Sequence, residues 1–329
     1  MGKSRDLSKV SSLQMPWMSA QNPELDEATA HLIKELGERH AKTAEFVLSA
    51  KERSNLMREF KNSEQGRSPL NKFLASIARK MNITNPEAVF VAPMKDWDRA
   101  VEKLHAPGRT LHDLGRARIK VSDAKQVKAF YKLLPSKDSE GHISGTPAKA
   151  FMLPGSLDDY LQSPRKSGYA GSINFDVEVY ISKGRWGTLE VQIMPDDYEV
   201  VDKRSHRLFD MIRILHEIPD NFRTEEHKYL AEGLVIANQA LFDEQAIRTR
   251  FDVLRAKPIY QLTEAKLKHA TDVLERVRNA VDNIPGRKLD WIVETADALS
   301  YAKTSVLNMY LASNLPSEPV SQAKTHEHS

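Results

Sequence analysis

The sequence of 329 residues contains no cysteine, which excludes disulfides, thiolate catalysis, cysteine-based zinc sites and iron–sulfur clusters. No apolar run approaches the length of a transmembrane helix, about 18 residues, and residues 1–20 lack the apolar core of a secretory signal peptide. We therefore expect no membrane association and a cytoplasmic location. Delivery as a secreted effector is the alternative, because some secretion routes need no cleavable signal.

A large excess of charge of either sign is also absent. Lys and Arg number 48 and Asp and Glu number 45, which gives a net charge of +3. Binding of polyanions by the whole surface is therefore not expected, and any anion site must come from a local concentration of charge. Hydrophobic residues make up 40% and charged residues 28%, which is typical of a globular protein.

Four segments are distinguished along the chain. Residues 1–22 are polar and predict a flexible leader, and residues 316–329 predict a disordered tail. Between them we expect a folded domain over 23–218, which begins with a helical segment, and a helical region over 219–315.

Hydrophobic periodicity predicts both strands and helices. Residues 173–182 and 188–193 alternate apolar and polar side chains, which predicts a β-hairpin with one apolar and one polar face. Residues 116–122 alternate in the same way, the apolar run 88–94 predicts a short buried strand, and 69–81 predicts a helix. The fold class predicted is α+β, a mostly antiparallel sheet packed with helices and followed by an α-helical C-terminal region. The C-terminal helices are expected near 196–216, 224–250, 262–283 and 288–313.

The first candidate site is a basic segment. Residues 61–81 carry five basic side chains and one acidic side chain in a nearly neutral protein. Lys72, Ser76 and Lys80 lie on one face of the predicted helix, and Arg67 lies in the glycine-containing turn before it. Such a surface at the start of a helix can bind polyphosphate through charge-assisted hydrogen bonds and the helix N-terminus. By composition alone, a solvated helix face explains the same pattern.

The second candidate site lies at the strand predicted over 116–122. Asp113 precedes this strand, whose polar face is basic. A carboxylate beside several cations is well placed to hold Mg²⁺ against phosphate oxygens, and an ordinary surface aspartate is the alternative. The basic residues of that face are Arg116, Arg118 and Lys120.

The third candidate site combines the predicted hairpin with the segment before it. Glu190 and Gln192 share the polar face of the hairpin, where simple pairing makes Asp176 a neighbour of Glu190. The preceding segment, 164–175, offers two cations and a ring on which a base could stack. His206 lies on a predicted helix among basic residues, where packing or capping is the commoner role. The residues of the preceding segment are Arg165, Lys166 and Tyr169.

The order and spacing of these motifs over residues 50–215 resemble the synthetase domain of the RelA/SpoT family of alarmone synthetases. Two additional residues separate the arginine and the lysine of the donor motif. The matched positions are Gly66, Arg67, Lys72, Ser76, Ile77, Lys80 and Met81 on the donor side, Asp113, Leu114 and Arg118 at the metal motif, Asp159, Tyr160, Pro164, Gly168 and Tyr169 in the acceptor loop, Glu190, Val191, Gln192 and Ile193 on a strand, and His206 on a helix.

The resemblance implies a nucleotidyltransferase-like fold and a small, synthetase-only enzyme. The implied reaction is transfer of pyrophosphate from ATP to the ribose 3′-hydroxyl of a nucleotide acceptor, with release of AMP. Asp113 and Glu190 would bind Mg²⁺, and Glu190 would also act as the general base. A homo-oligomer is a further expectation. The ATP-binding residues would be Arg67, Lys72, Ser76, Lys80 and Arg118, and the acceptor-binding residues Arg165, Lys166, Tyr169, Gln192 and His206.

Two departures from the family pattern lie on the acceptor side. The loop that ends at Asp158 lacks the basic pair of the long enzymes, and Ile173 replaces a histidine. Three acceptors therefore stay open: GDP or GTP, an adenine nucleotide, and the 3′ end of tRNA, as in the toxic small synthetases. A non-catalytic nucleotide-binding or interaction protein is the alternative from another class.

Overall fold

The computed structural model of the protein describes residues 22–41, 48–97, 100–101, 114–134, 140–147, 149–182, 184–257, 259, 262–284 and 289–314. The α-helices are α1 (Pro23–Ala41), α2 (Ala50–Lys80), α3 (Ala124–Leu133), α4 (Glu199–Glu217), α5 (Glu225–Thr249), α6 (Glu264–Asp282) and α7 (Asp290–Asn314). The strands are β1 (Val89–Val91), β2 (Arg116–Val121), β3 (Ala150–Met152), β4 (Asp158–Asp159), β5 (Ile173–Ser182) and β6 (Arg185–Pro195).

The strands form one sheet in the order β1-β2-β6-β5-β3, and β4 also pairs with β5. Strands β2 and β6 run parallel, whereas the other four pairings are antiparallel. The predicted α+β class with a helical C-terminal region is therefore confirmed, and the sheet is mixed rather than uniform. The four C-terminal helices begin and end within three residues of their predicted bounds.

The hairpin of β5 and β6 has the two faces that its alternation predicted. Phe175, Val177 and Leu189 are buried on the apolar face. Strand β6 begins earlier than predicted, because Trp186 pairs with Tyr180 and the turn is shorter. The side chains between the buried ones therefore share the opposite, polar face of the sheet.

Helix α2 differs from its prediction. A turn at Gly66 and a helix start at Pro69 are wrong, since α2 runs without a break from Ala50 to Lys80. A Cβ atom at Gly66 would lie 2.7 Å from Cγ2 of Val179, so glycine lets the helix approach the apolar face of the sheet. Pro69 removes one helical hydrogen bond, and the burial of residues such as Phe73 offsets that loss.

The N-terminus of α2 therefore lies far from the basic segment. It is capped at Ser49, whose side chain accepts a hydrogen bond from the backbone N–H of Glu52. Arg67 lies 17 positions after Ala50 in the helix, a distance of about 25 Å along its axis. No helix N-terminus therefore lies beside Arg67, and the predicted contribution of a helix start to anion binding there is wrong.

Two further predictions need correction. The run 88–94 was predicted to form a buried strand, but β1 is an edge strand whose central residue, Phe90, is 52% exposed. The segment 135–168 is rich in Pro, Ser, Gly and Lys and has poor periodicity, which predicts a loop, but its described part contains the short strands β3 and β4. Both strands pair with β5, so this segment closes one side of the sheet.

Helices cover the apolar face and continue the core into the C-terminal region. Phe130 of α3 stacks on Phe175 with ring centroids 5.6 Å apart. One cluster of buried side chains joins the sheet to α1 and to α4, α5, α6 and α7. The boundary between 218 and 219 stays a prediction, and the leader and tail lie outside the described residues except Asn22. None of the helices in the described ranges combines the length and hydropathy needed to cross a bilayer.

Candidate functional site

The polar face of the sheet aligns side chains from four strands in two rows. The register places Phe90 beside Arg118, and Gln192 beside both Arg118 and Asn174. We call these four residues the Phe90 row. The next row, the Glu190 row, holds Arg116, Glu190 and Asp176. The predicted proximity of Asp176 and Glu190 is confirmed.

Glu190 occupies the centre of this face. Its Oε1 accepts a hydrogen bond of 2.9 Å from Nε2 of Gln192 and lies 3.6 Å from Nε of Arg116. The side chain is 21% exposed, so it is accessible from solvent. A carboxylate with a fixed orientation, next to a cation and open to solvent, suits proton transfer or metal binding.

Asp113 lies outside the described residues. The strand that follows it, β2, is the direct neighbour of β6, and the backbone N–H of Glu190 donates to the carbonyl oxygen of Gly115 at 3.1 Å. The resemblance, in which Asp113 and Glu190 bind the same ion, implies that these two strands are adjacent, and this is confirmed. The expected meeting of Asp113 with Glu190 stays a prediction.

Helix α4 supplies counter-charges to the basic side chains of β2. Nη2 of Arg118 donates to Oε1 of Gln192 at 3.2 Å and lies 3.8 Å from Oδ2 of Asp202. His206 Nε2 is 3.8 Å from the same Asp202 oxygen, so His206 belongs to this cluster although its side chain is largely exposed. Contacts on both sides therefore fix the direction of the Arg118 guanidinium.

Lys120 is the last of the three basic side chains on the polar face of β2, which we call the basic column (Arg116, Arg118 and Lys120). Its Nζ lies 3.3 Å from Oε2 of Glu199 at the start of α4. This hydrogen bond and the Lys120 charge lower the pKa of Glu199. The pair is partly exposed, so its contribution to stability is small.

The acceptor loop contributes a second polar surface. Tyr160 lies below the guanidinium of Arg165, 5.4 Å from the ring centroid, and its hydroxyl donates to Asp158 at 2.9 Å. Burial and the Asp158 hydrogen bond raise the pKa of Tyr160 to about 12, with a smaller contribution from the charge of Glu190. Lys166 is exposed on the same loop.

Tyr169 is more enclosed than Tyr160. Its ring meets the rings of Phe242 and Tyr160 edge-on, at centroid distances of 5.0 and 5.6 Å. Its hydroxyl forms a 2.9 Å hydrogen bond with Ser172, and burial raises the pKa of Tyr169. Of the two rings, Tyr160 is the more suitable surface for a base. Ile173 is fully buried on the apolar face, so this position serves the core.

The C-terminal helical region holds the acceptor loop in place, which the sequence did not reveal. Nη1 of Arg255 donates to the carbonyl oxygens of Tyr160 and Leu161 at 3.1 and 3.0 Å, and Nη2 donates to Asp243 at 2.9 Å. The Arg255 and Asp243 side chains are only 4% and 5% exposed. Asn238 of α5 donates to the carbonyl oxygen of Ser167 at 2.8 Å. These contacts join residues that are far apart in the sequence, so motif spacing does not predict them. The only sequence signal is Asp243, a charged residue among apolar residues of the predicted helix 224–250.

The ATP-binding residues predicted on α2 do not lie on the polar face of the sheet. Because α2 packs on the apolar face, the sheet separates its outer side chains from Glu190. Ser76 is buried and donates to the carbonyl oxygen of Gly145 at 3.3 Å, and Lys72 and Lys80 are exposed. Arg67 reaches the edge of the sheet, where it donates to the carbonyl oxygen of Val91 at 3.2 Å.

Two cavities differ in charge. The larger, about 830 Å³, lies between α1 and the α4–α5 connection, has five glutamates and one arginine in its lining, and contains no predicted site residue. Its negative charge makes it unsuited to phosphate. The smaller, about 430 Å³, lies on the polar face of the sheet. It is lined by Glu87, Phe90, Ala92, Arg116, Ala117, Arg118, Lys120, Gln192 and Glu199.

No family model matches this chain, and no curated protein matches its sequence. Its function is therefore inferred from the polar face of the sheet and from the motifs themselves. Among the described residues, no group of three or more histidine or carboxylate side chains forms a metal site.

Proposed function

We propose that the protein transfers the pyrophosphoryl group of ATP to the ribose 3′-hydroxyl of an acceptor nucleotide and releases AMP, as the RelA/SpoT-like motifs imply. The observation that supports this most directly is the position of Glu190. On one side lie the basic side chains of β2, and on the other lies β5, which pairs with β4 at the start of the loop that carries Tyr160 and Arg165. A transfer between two substrates needs a proton acceptor between two such surfaces.

The donor side consists of cations along one strand. Arg116, Arg118 and Lys120 line the 430 Å³ cavity and can form charge-assisted hydrogen bonds with phosphate oxygens. Lys72 and Lys80 are exposed on α2, which packs on the opposite face of the sheet, so in this proposal they do not contact ATP.

The chemistry assigned to Glu190 is proton removal. The acceptor 3′-oxygen forms a bond to the β-phosphorus of ATP, and the bond between that phosphorus and the oxygen bridging to the α-phosphate breaks. The hydroxyl proton goes to Glu190, and the electron pair leaves on AMP. Gln192 orients the Glu190 carboxylate through the 2.9 Å hydrogen bond.

Mg²⁺ is implied by this reaction, and the oxygen donors of the site fit it. Glu190 faces Asp176 across the hairpin. Asp113, three residues before Arg116 in the sequence, would supply a third carboxylate. When bound, the ion would neutralise charge on the phosphates.

The test incubates purified protein with γ-labelled ATP, Mg²⁺ and, separately, GDP, GTP, adenine nucleotides and tRNA. We expect AMP release matched by one labelled acceptor, and its loss in Glu190→Gln. Glu178→Gln is the matched control, because Glu178 lies on the same polar face but outside both rows. Binding of ATP with no AMP from any acceptor would contradict the proposal and favour a non-catalytic nucleotide-binding protein. Labelling of tRNA alone would exclude alarmone synthesis.

A further inference from the structure

Phe90 has an exposed ring at the edge of the polar face. It is the central residue of β1, and its side chain is 52% exposed whereas Val89 and Val91 pack against the core. No aromatic ring of the described residues lies against it. Strand alternation directs it to the same face as Arg118, not to the core.

Arg118 is the cross-strand neighbour of Phe90. Directly opposed residues of an antiparallel pair have Cβ atoms about 5 Å apart, so both side chains border the same space. The hydrogen bond to Gln192 and the nearby Asp202 carboxylate fix the Arg118 guanidinium. A phenyl ring and a guanidinium are both flat groups on which nucleobases stack.

The cavity that these side chains line is divided by polarity. Phe90 and Ala92 provide an apolar part, and Arg116, Arg118 and Lys120 provide a cationic part. Two glutamates, Glu87 and Glu199, also line the cavity, so its lining has three positive charges against two negative charges. Its volume of about 430 Å³ lies within the range of small-molecule sites. A ligand with a flat, weakly polar ring joined to a polyanion matches this division, and a nucleoside triphosphate has that form.

We propose that Phe90, together with Arg118, forms the stacking platform for the purine base of the donor nucleotide. The polar face thereby recognises a nucleoside triphosphate and not a polyphosphate alone. The identity of the nucleotide as ATP rests on the proposed function. Recognition of the base rests on the exposed ring and the divided cavity.

The test measures binding, by titration calorimetry with ATP and with inorganic tripolyphosphate in the same Mg²⁺ buffer. Phe90→Ala is expected to weaken ATP binding about 5- to 100-fold, the usual range for loss of one stacked base. Binding of tripolyphosphate should change by less than about twofold, and Phe90→Trp should retain ATP binding. Because Phe90 is half exposed, its replacement is not expected to unfold the protein, which thermal unfolding checks.

Phe222→Ala is the matched control, because Phe222 is 68% exposed and lies outside the site. It should leave the affinity for both ligands unchanged. An equal loss of ATP and tripolyphosphate affinity in Phe90→Ala would overturn the inference, and so would tripolyphosphate binding as tight as ATP in the unmodified protein. Phe90-dependent ATP binding without any labelled acceptor would support the inference and contradict the proposed transfer. If Phe90→Ala still transferred pyrophosphate with an unchanged KM for ATP, the proposed function would be supported and the role of Phe90 in binding the base would be contradicted.

Discussion

Consecutive residues of β6 belong to two different environments. Leu189 is fully buried under α2, in contact range of both Gly66 and Gly115, whereas Glu190 is partly exposed beside Arg116. The same alternation separates the faces on β2 and β5. One face of the sheet therefore builds the core, and the other carries the charges that could act on a substrate.

The two basic surfaces of the protein illustrate why this division matters. Residues 61–81 carry the larger number of basic side chains, yet Lys72 and Lys80 are exposed on a helix that packs on the apolar face of the sheet. Arg116 and Arg118 are fewer, but they line a cavity next to Glu190. Placement on the sheet, and not the number of basic side chains, distinguishes a candidate anion site from a solvated helix face.

The largest expected effects separate the faces at neighbouring positions. Glu190→Gln should reduce AMP release about 100- to 10,000-fold, because it removes the general base, with little change in stability. Leu189→Ala should instead lower the free energy of unfolding by about 2–5 kcal/mol, because it leaves a cavity in the core, while the rate per folded molecule persists. Rate assays and denaturant unfolding check the pair. Loss of activity in folded Leu189→Ala would contradict the division.

The next prediction compares the two basic surfaces directly. Replacing both Arg116 and Arg118 by glutamine should weaken ATP binding about 10- to 100-fold, because charge-assisted hydrogen bonds to phosphate are lost. Replacing both Lys72 and Lys80 by glutamine removes the same total charge and should change the affinity by less than about twofold. Calorimetry on both variants measures this. Equal weakening of ATP binding by the two double variants would contradict a donor site on the polar face alone.

The position of α2 can be tested at Gly66. Gly66→Ala should destabilise the protein by about 1–3 kcal/mol, because the added methyl group would meet the Val179 side chain and force α2 away from the sheet. Gly37→Ala is the matched control inside α1, where a Cβ atom would lie 3.8 Å from the Trp291 ring. That variant should be neutral or more stable by up to about 1 kcal/mol. Equal free energies of unfolding of the two variants in urea would contradict close packing of α2 on the sheet at Gly66.

Much of the sheet was predictable because a period of two leaves a strong pattern. The bounds of β5 match the prediction, and the pairing of Asp176 with Glu190 followed from it. Helix α2 was misjudged because local signals at Gly66 and Pro69 indicate a turn, whereas packing on the sheet overrides them. The anchor of the acceptor loop was not predictable. Arg255 and Asn238 lie about 70 to 95 residues beyond the loop atoms that they bind, and spacing along the chain carries no sign of such contacts.

The smallest expected effect concerns the hydrogen bond by which Asn238 of α5 holds the loop at Ser167. Asn238→Ala removes the hydrogen bond to the Ser167 carbonyl oxygen and should raise the KM for the acceptor several-fold, roughly 3- to 10-fold, with the KM for ATP unchanged. Gln245→Ala is the control, because it also removes a buried side-chain amide from α5. The amide of Gln245 donates a 3.0 Å hydrogen bond to the Asp197 carbonyl oxygen, which lies outside the loop.

Each variant should lose stability, by about 1–3 kcal/mol, because each leaves one backbone carbonyl without its side-chain partner, and Gln245→Ala also removes the acceptor of a hydrogen bond from Arg248. A rise of the acceptor KM in Asn238→Ala alone would place the loop under the control of α5. If Gln245→Ala raised it equally, the effect would belong to general loosening of the helix. If neither did, the loop carrying Arg165 would not bind the acceptor, and the polar face would keep its donor side but lose its second surface.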